Sequence, residues 1–106
     1  MTVIQGKHGK PRESRVAVNF PVRLIQDPNG ERRENDALLL DVSERGVRLV
    51  ANAEVRMGEE VEVIPQEGPE FSVQGRVVWI AVFQARHENH VGIQLARPHE
   101  VESWKG

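Results

Sequence analysis

Residues 15–25, RVAVNFPVRLI, change character at every step: Val16, Val18, Phe20, Val22 and Leu24 alternate with Ala17, Asn19, Pro21 and Arg23. Side chains of an extended strand point to opposite faces in turn, whereas a helix repeats every 3.6 residues. The period of two therefore predicts a strand with one buried face. Pro21 has no N–H to give to a ladder, which predicts an edge or a bulge at that point. Strong turn chemistry follows at Asp27-Pro28-Asn29-Gly30.

Five further segments carry the same signature. Residues 36–42 (DALLLDV) and 46–51 (GVRLVA) are short apolar runs on either side of SER. A polar connection centred on Gly58 leads to residues 61–65 (VEVIP), and QEGP is another turn. Residues 70–83 (EFSVQGRVVWIAVF) are rich in β-branched and aromatic side chains, with Phe71, Val73, Val77, Trp79 and Phe83 on the odd positions. RHENH reads as a turn, and residues 91–96 (VGIQLA) as the last strand. Six strands with short connections predict an all-β fold, a six-stranded antiparallel barrel or a sandwich. The barrel is preferred because closure leaves no sheet edge exposed. In RPHEVESWKG, Pro98 suits a first helical position and Val101 and Trp104 share a face, so a short C-terminal helical segment is expected. The chain divides into a flexible basic arm (1–14), one barrel domain (15–97) and a short helix or tail (98–106).

Much chemistry is excluded. With no cysteine there is no disulfide, thiolate metal site or thiol nucleophile. There is no phosphate loop and no dinucleotide-fold glycine pattern. Ser43 lacks the flanking glycines of a nucleophile elbow. His87, Glu88 and His90 form a polar cluster without a third well-spaced ligand, so no metal site is expected. Glu59, Glu60 and Glu62 read as a solvated face. The chain is not expected to be an enzyme. No apolar run approaches the roughly 20 residues of a membrane helix, and the N-terminus lacks the apolar stretch of a secretory signal. The expectation is a cytoplasmic protein without membrane insertion.

Charge is unevenly placed. Residues 1–33 hold seven Lys or Arg against three Asp or Glu; the remainder holds seven against thirteen. A basic arm on an acidic body suggests an anionic partner near the N-terminus. Nucleic acid is not expected, because the body is acidic and aromatic side chains are few, whereas single-strand binders need a basic groove with stacking rings.

The segment DVSERG, Asp41 to Gly46, has the spacing D-x-S-x-x-G. Asp and Ser favour turns by bonding nearby amides, and glycine tolerates positive φ, so the string also works as a plain turn. Strand alternation adds that Leu40 and Val42 should share one face and leave Asp41 and Ser43 on the other. An ionised Asp accepts at two oxygens and suits two adjacent N–H donors, such as the edge of guanine. Ser43 can donate or accept beside it, and Gly46 admits a flat base or a phosphate close to the backbone. Arg45 and Arg48 flank the turn, as added positive potential or as plain solvent-exposed charges. Arginine forks in the arm would bind phosphate or guanine O6/N7.

With these residues in view the sequence resembles the PilZ domain family, bacterial receptors for cyclic di-GMP. The likeness runs from about Lys10 to Ala96 and rests on ESRVAVNFPVRL, LLLDVSERGVRLV, FSVQGRVVWI and HVGIQLA. It implies a six-stranded antiparallel barrel with a variable C-terminal helix, and binding of cyclic di-GMP by an R-x-x-x-R motif together with D-x-S-x-x-G. Asp41, Ser43 and Gly46 match the second motif, and Arg15 the second arginine of the first. Four residues before Arg15 stands Pro11, with Lys10 and Arg12 on either side as substitutes. Trp79 is a candidate stacking surface for guanine, though its parity with Val73 and Val77 predicts a core position. The implied function is a receptor that relays second-messenger level to a protein partner in motility or biofilm regulation. The alternative is a nucleotide-independent adaptor, because Pro11 interrupts the first motif. No cofactor other than the ligand is expected.

Overall fold

The computed structural model of the protein describes residues 2–5, 15–68, 70–83 and 88–105, with backbone alone for 2–5 and 105. Seven strands occur in chain order: β1 (Thr2–Gln5), β2 (Val16–Gln26), β3 (Arg33–Val42), β4 (Gly46–Ala51), β5 (Glu60–Pro65), β6 (Val73–Phe83) and β7 (Glu88–Leu95). All pairings are antiparallel, in the order β1-β6-β5-β2-β3-β4-β7, and β7 pairs again with β6. That last pairing closes β2–β7 into the expected six-stranded barrel. The sequence reading placed no strand before residue 15, yet Thr2–Gln5 adds to β6 opposite Trp79–Val82.

Several boundaries differ from expectation. The β2–β3 connection is tighter than QDPNGERREN implied, because β3 begins at Arg33. Asp27 takes φ 51°, its carbonyl accepts from Gly30 N at 3.0 Å, and its Oδ2 accepts from Glu31 N at 2.9 Å. This self-bonding is what lets Asp occupy the left-handed region. Glu88 and His90 belong to β7, not to a turn, and His90 stacks on Phe83 at 4.5 Å; His87 lies outside the described residues. Glu59 is half-buried and does more than face water: it accepts from Gln26 Nε2 at 3.1 Å and from Arg56 N at 3.0 Å, closing the polar connection. Glu62 pairs with Arg32 at 3.6 Å.

The core is the inward phase of the strands: Val22, Leu24, Leu39, Leu49, Val63, Val77 and Ile93 are at most 2% exposed. Each such side chain contributes roughly 1.5–3 kcal/mol. The strand register is interrupted in three places, between Ala17 and Phe20 of β2, at Leu40 of β3 and at Val78 of β6. A bulge sharpens bend and twist, which a small closed barrel needs. Those at Leu40 and Val78 also shift the phase of the later side chains, whereas β2 keeps Val16, Val18, Phe20, Val22 and Leu24 on its inner face. Pro21 sits beyond the β2 bulge and just before Val22, the first β2 residue paired with β5.

The C-terminal helical segment is a single 3-10 turn, Val101–Lys105. It carries Trp104, 0% exposed, against Phe71 at 4.9 Å, His99 at 5.4 Å and Phe20 at 6.4 Å. His99, which showed no pattern in the sequence, thus belongs to an aromatic cluster. Burial lowers its pKa from the ordinary 6.5, partly opposed by Glu100. No helix among the described residues is long and apolar enough to cross a membrane.

Candidate functional site

The D-x-S-x-x-G segment ends β3, turns, and starts β4. Its turn is closed by Ser43 N donating to Gly46 O at 2.8 Å. Two outer carbonyls of the turn accept from elsewhere: Arg45 O from Leu95 N, and Glu44 O from His99 N, both at 2.8 Å. The turn is thereby fastened to the end of β7 and to the segment leading to Trp104.

The bulge at Leu40 decides which side chains the motif presents. Leu39 and Val42, not Leu40 and Val42, fill the core at 0% exposure. Asp41 points outward as expected, with its side chain 14% exposed. Ser43 does not share that exposure: it is fully buried. Its Oγ donates to Gly46 O and accepts from Arg15 Nη1, both at 3.3 Å. Ser43 therefore acts beneath the site, holding the turn and one arginine.

Arg15, the first described residue before β2, lies across Asp41. Its Nε donates to Oδ1 at 2.7 Å and its Nη2 lies 2.6 Å from the same oxygen. Arg48 reaches the other oxygen, with Nη2 2.7 Å from Oδ2. Arg48 is thus more than a solvent-exposed charge. Two guanidinium groups share one carboxylate, and the cluster carries a net charge of +1. A Cβ at Gly46 would lie 3.2 Å from Ile93 O, 3.7 Å from Ser43 Oγ and 3.8 Å from Arg15 Nη1. Only the contact with the Ile93 carbonyl is tight, so glycine there lets β4 and β7 approach closely beside the serine and arginine.

Strand register extends this cluster sideways. Asp41 pairs with Arg48, Arg48 with Gly92, Gly92 with Trp79, and Trp79 with Gln5. All lie in one row across β3, β4, β7, β6 and β1. Adjacent strands lie about 4.8 Å apart, so the backbone distance from Asp41 to Trp79 is about 14 Å. Trp79 is not a core residue: the bulge at Val78 passes the inward phase to Ile80 and turns Trp79 outward, half-buried. A Cβ on Gly92 would lie 3.1 Å from Trp79 Cβ and 3.5 Å from Cε3. The indole therefore rests against the strand at a position with no side chain. Gln5 and Arg15, the described residues flanking 6–14, stand at opposite ends of the row. Lys10, Pro11 and Arg12 lie outside the described residues.

The row offers two cations, one carboxylate and an aromatic face on an otherwise mixed surface. Two cavities, of about 360 and 640 Å³, flank the Asp27–Gly30 turn and contain none of these side chains. No group of three or more His, Asp or Glu suited to a metal occurs among the described residues.

The model of the PilZ domain family matches residues 10–104. The chain belongs to the PilZ family. That match spans β2 to the C-terminal turn and includes the whole row except Gln5. PilZ domains are binding domains associated with cyclic di-GMP, not catalysts. No curated protein matches the chain. Within this PilZ domain, the sequence reading missed Gly92 and the bond from Arg48 to Asp41. Both follow from register, which no local motif encodes.

Proposed function

We propose that this PilZ domain is a cyclic di-GMP receptor whose ligand lies along the row from Asp41 to Trp79. The observation that carries the reading is the Arg15–Asp41–Arg48 cluster, which joins carboxylate oxygens suited to a guanine edge with cations suited to phosphate. Asp41 accepts the guanine N–H pair, Arg15 contacts phosphate, and Ser43 and Gly46 keep the turn in place. Trp79 offers a stacking face. Lys10 and Arg12 supply further cations in place of the arginine absent at Pro11. The domain would relay second-messenger level to a protein partner in the cytoplasm.

One observation favours a second reading, a nucleotide-independent adaptor. Asp41 and Ser43 are already satisfied within the protein, so the motif is also a complete structural turn. Isothermal titration with cyclic di-GMP, with GTP as control, separates the two. Saturable and selective binding supports the receptor. No heat at high micromolar ligand, from protein shown to be folded, refutes it and leaves the adaptor.

A further inference from the structure

We infer that Arg48 is a ligand-exchanging arginine: guanine takes its place on Asp41 Oδ2, and its guanidinium moves to a phosphate of the same ligand. The inference rests on the receptor reading above.

Both oxygens of Asp41 are occupied, Oδ1 by Arg15 and Oδ2 by Arg48. A guanidinium and the guanine edge offer a carboxylate the same thing, adjacent N–H donors in one plane. A carboxylate has about four acceptor sites, and three are taken here, two by Arg15 and one by Arg48. A guanine edge that docks on Asp41 with both N–H donors must therefore take an arginine's place. The two are not equally held. Arg15 makes two contacts with Oδ1 and a third to the buried Ser43 Oγ. Arg48 makes a single contact through Nη2. The two side chains are equally open to water, 46% for Arg48 and 44% for Arg15, so the difference lies in these contacts.

The register gives the freed side chain somewhere to go. The next position in the row is Gly92, which has no side chain, and beyond it lies the indole of Trp79. Arg48 released from Asp41 thus stays on the floor between carboxylate and aromatic face. Cyclic di-GMP brings two phosphodiester charges to that floor. A planar guanidinium fork matches phosphate oxygens bidentately, which an ammonium does not. Before and after the exchange Asp41 is bonded and Arg48 is paired, so neither end state leaves a charge uncovered. Arg15, just before β2, and Arg48, in β4, then form a two-arginine clamp, in a chain whose R-x-x-x-R motif is interrupted by Pro11.

The test is isothermal titration of the full chain with cyclic di-GMP, wild type against Arg48→Ala and Arg48→Lys, at low and moderate salt, with melting curves for each protein. Arg48→Ala is expected to bind about ten- to a hundredfold more weakly, the loss of one charged hydrogen-bonded contact. Its affinity should also depend less on salt, and Arg48→Lys should recover part of the loss. Should Arg48→Ala melt early, Arg48→Gln, which keeps most of the stem, is read instead. Binding by a folded Arg48→Ala within threefold of wild type overturns the inference while leaving the receptor reading intact. Tighter binding also overturns it, by showing Arg48 to be only a competitor for Asp41. No binding by wild type overturns both.

Discussion

Replacing Asp41 with Ala should separate binding from stability. Asp41 holds two arginines whose side chains are 44% and 46% exposed. Ion pairs this open to water contribute about 0–1 kcal/mol each, so the folded state should lose at most about 2 kcal/mol. For a domain of this size about 1 kcal/mol corresponds to 4–8 °C, and the melting temperature should fall by less than about 15 °C. Binding should suffer far more. Two guanine N–H donors on a carboxylate contribute about 1.5–3 kcal/mol each. Losing both costs about 3–6 kcal/mol, or roughly two to four decades in Kd. Asp41→Asn retains one acceptor and should fall between the two. Isothermal titration with cyclic di-GMP, run beside thermal denaturation, reads both quantities on the same samples. A folded Asp41→Ala that binds within threefold of wild type would refute the guanine-on-carboxylate geometry. A stability loss above about 4 kcal/mol would refute the claim that these ion pairs are well screened.

Other perturbations test the frame around the site. Trp104→Ala removes a fully buried indole from between Phe20, Phe71 and His99, and should cost about 3–5 kcal/mol by chemical denaturation; a loss under 1 kcal/mol would contradict its place in the barrel end. Gly75→Ala would put a Cβ 2.5 Å from Gln94 O, a backbone atom across the β6–β7 closure, so low soluble yield or a sharply lowered melting temperature is expected. Wild-type melting of that variant would mean the closure is looser than its register implies. The His99 pKa is lowered by burial, so the unfolded chain binds more protons between the folded value and 6.5. Stability is therefore full above pH 6.5, declines as pH falls through that window, and levels off below the folded pKa. His99→Gln should flatten this part of the stability–pH curve, and an unchanged curve would assign the slope to other groups.

How much of this domain could be read before folding it depends on the range of each signal. Alternation is local. A residue's neighbours at two and four positions fix the face it shows, so the six barrel strands and the turn at Asp27–Gly30 were legible in the sequence. D-x-S-x-x-G was legible too, as spacing. Its internal geometry was not: Ser43 lies past the end of β3, where alternation stops, and is buried by the turn it closes and by Arg15. The bulges at Leu40 and Val78 leave no compositional mark, and they turn Leu40 and Trp79, both expected on the core face, away from it. β1 escaped notice because four residues carry too little alternation to separate a strand from an arm.

The meeting of Arg15, Asp41 and Arg48 with Gly92 and Trp79 is tertiary in origin. These positions are separated by up to 77 residues in the chain; the register of four strands brings Asp41, Arg48, Gly92 and Trp79 into one row, and Arg15 lies across Asp41 from just before β2. Register is set jointly by core filling, turn length and bulges, so no single segment contains it. The sequence by itself determined that this chain makes a small β-barrel with an acid-hydroxyl-glycine turn. Which side chains share a floor with that turn was decided by closing the barrel, because closure places the outward residues of neighbouring strands about 4.8 Å apart.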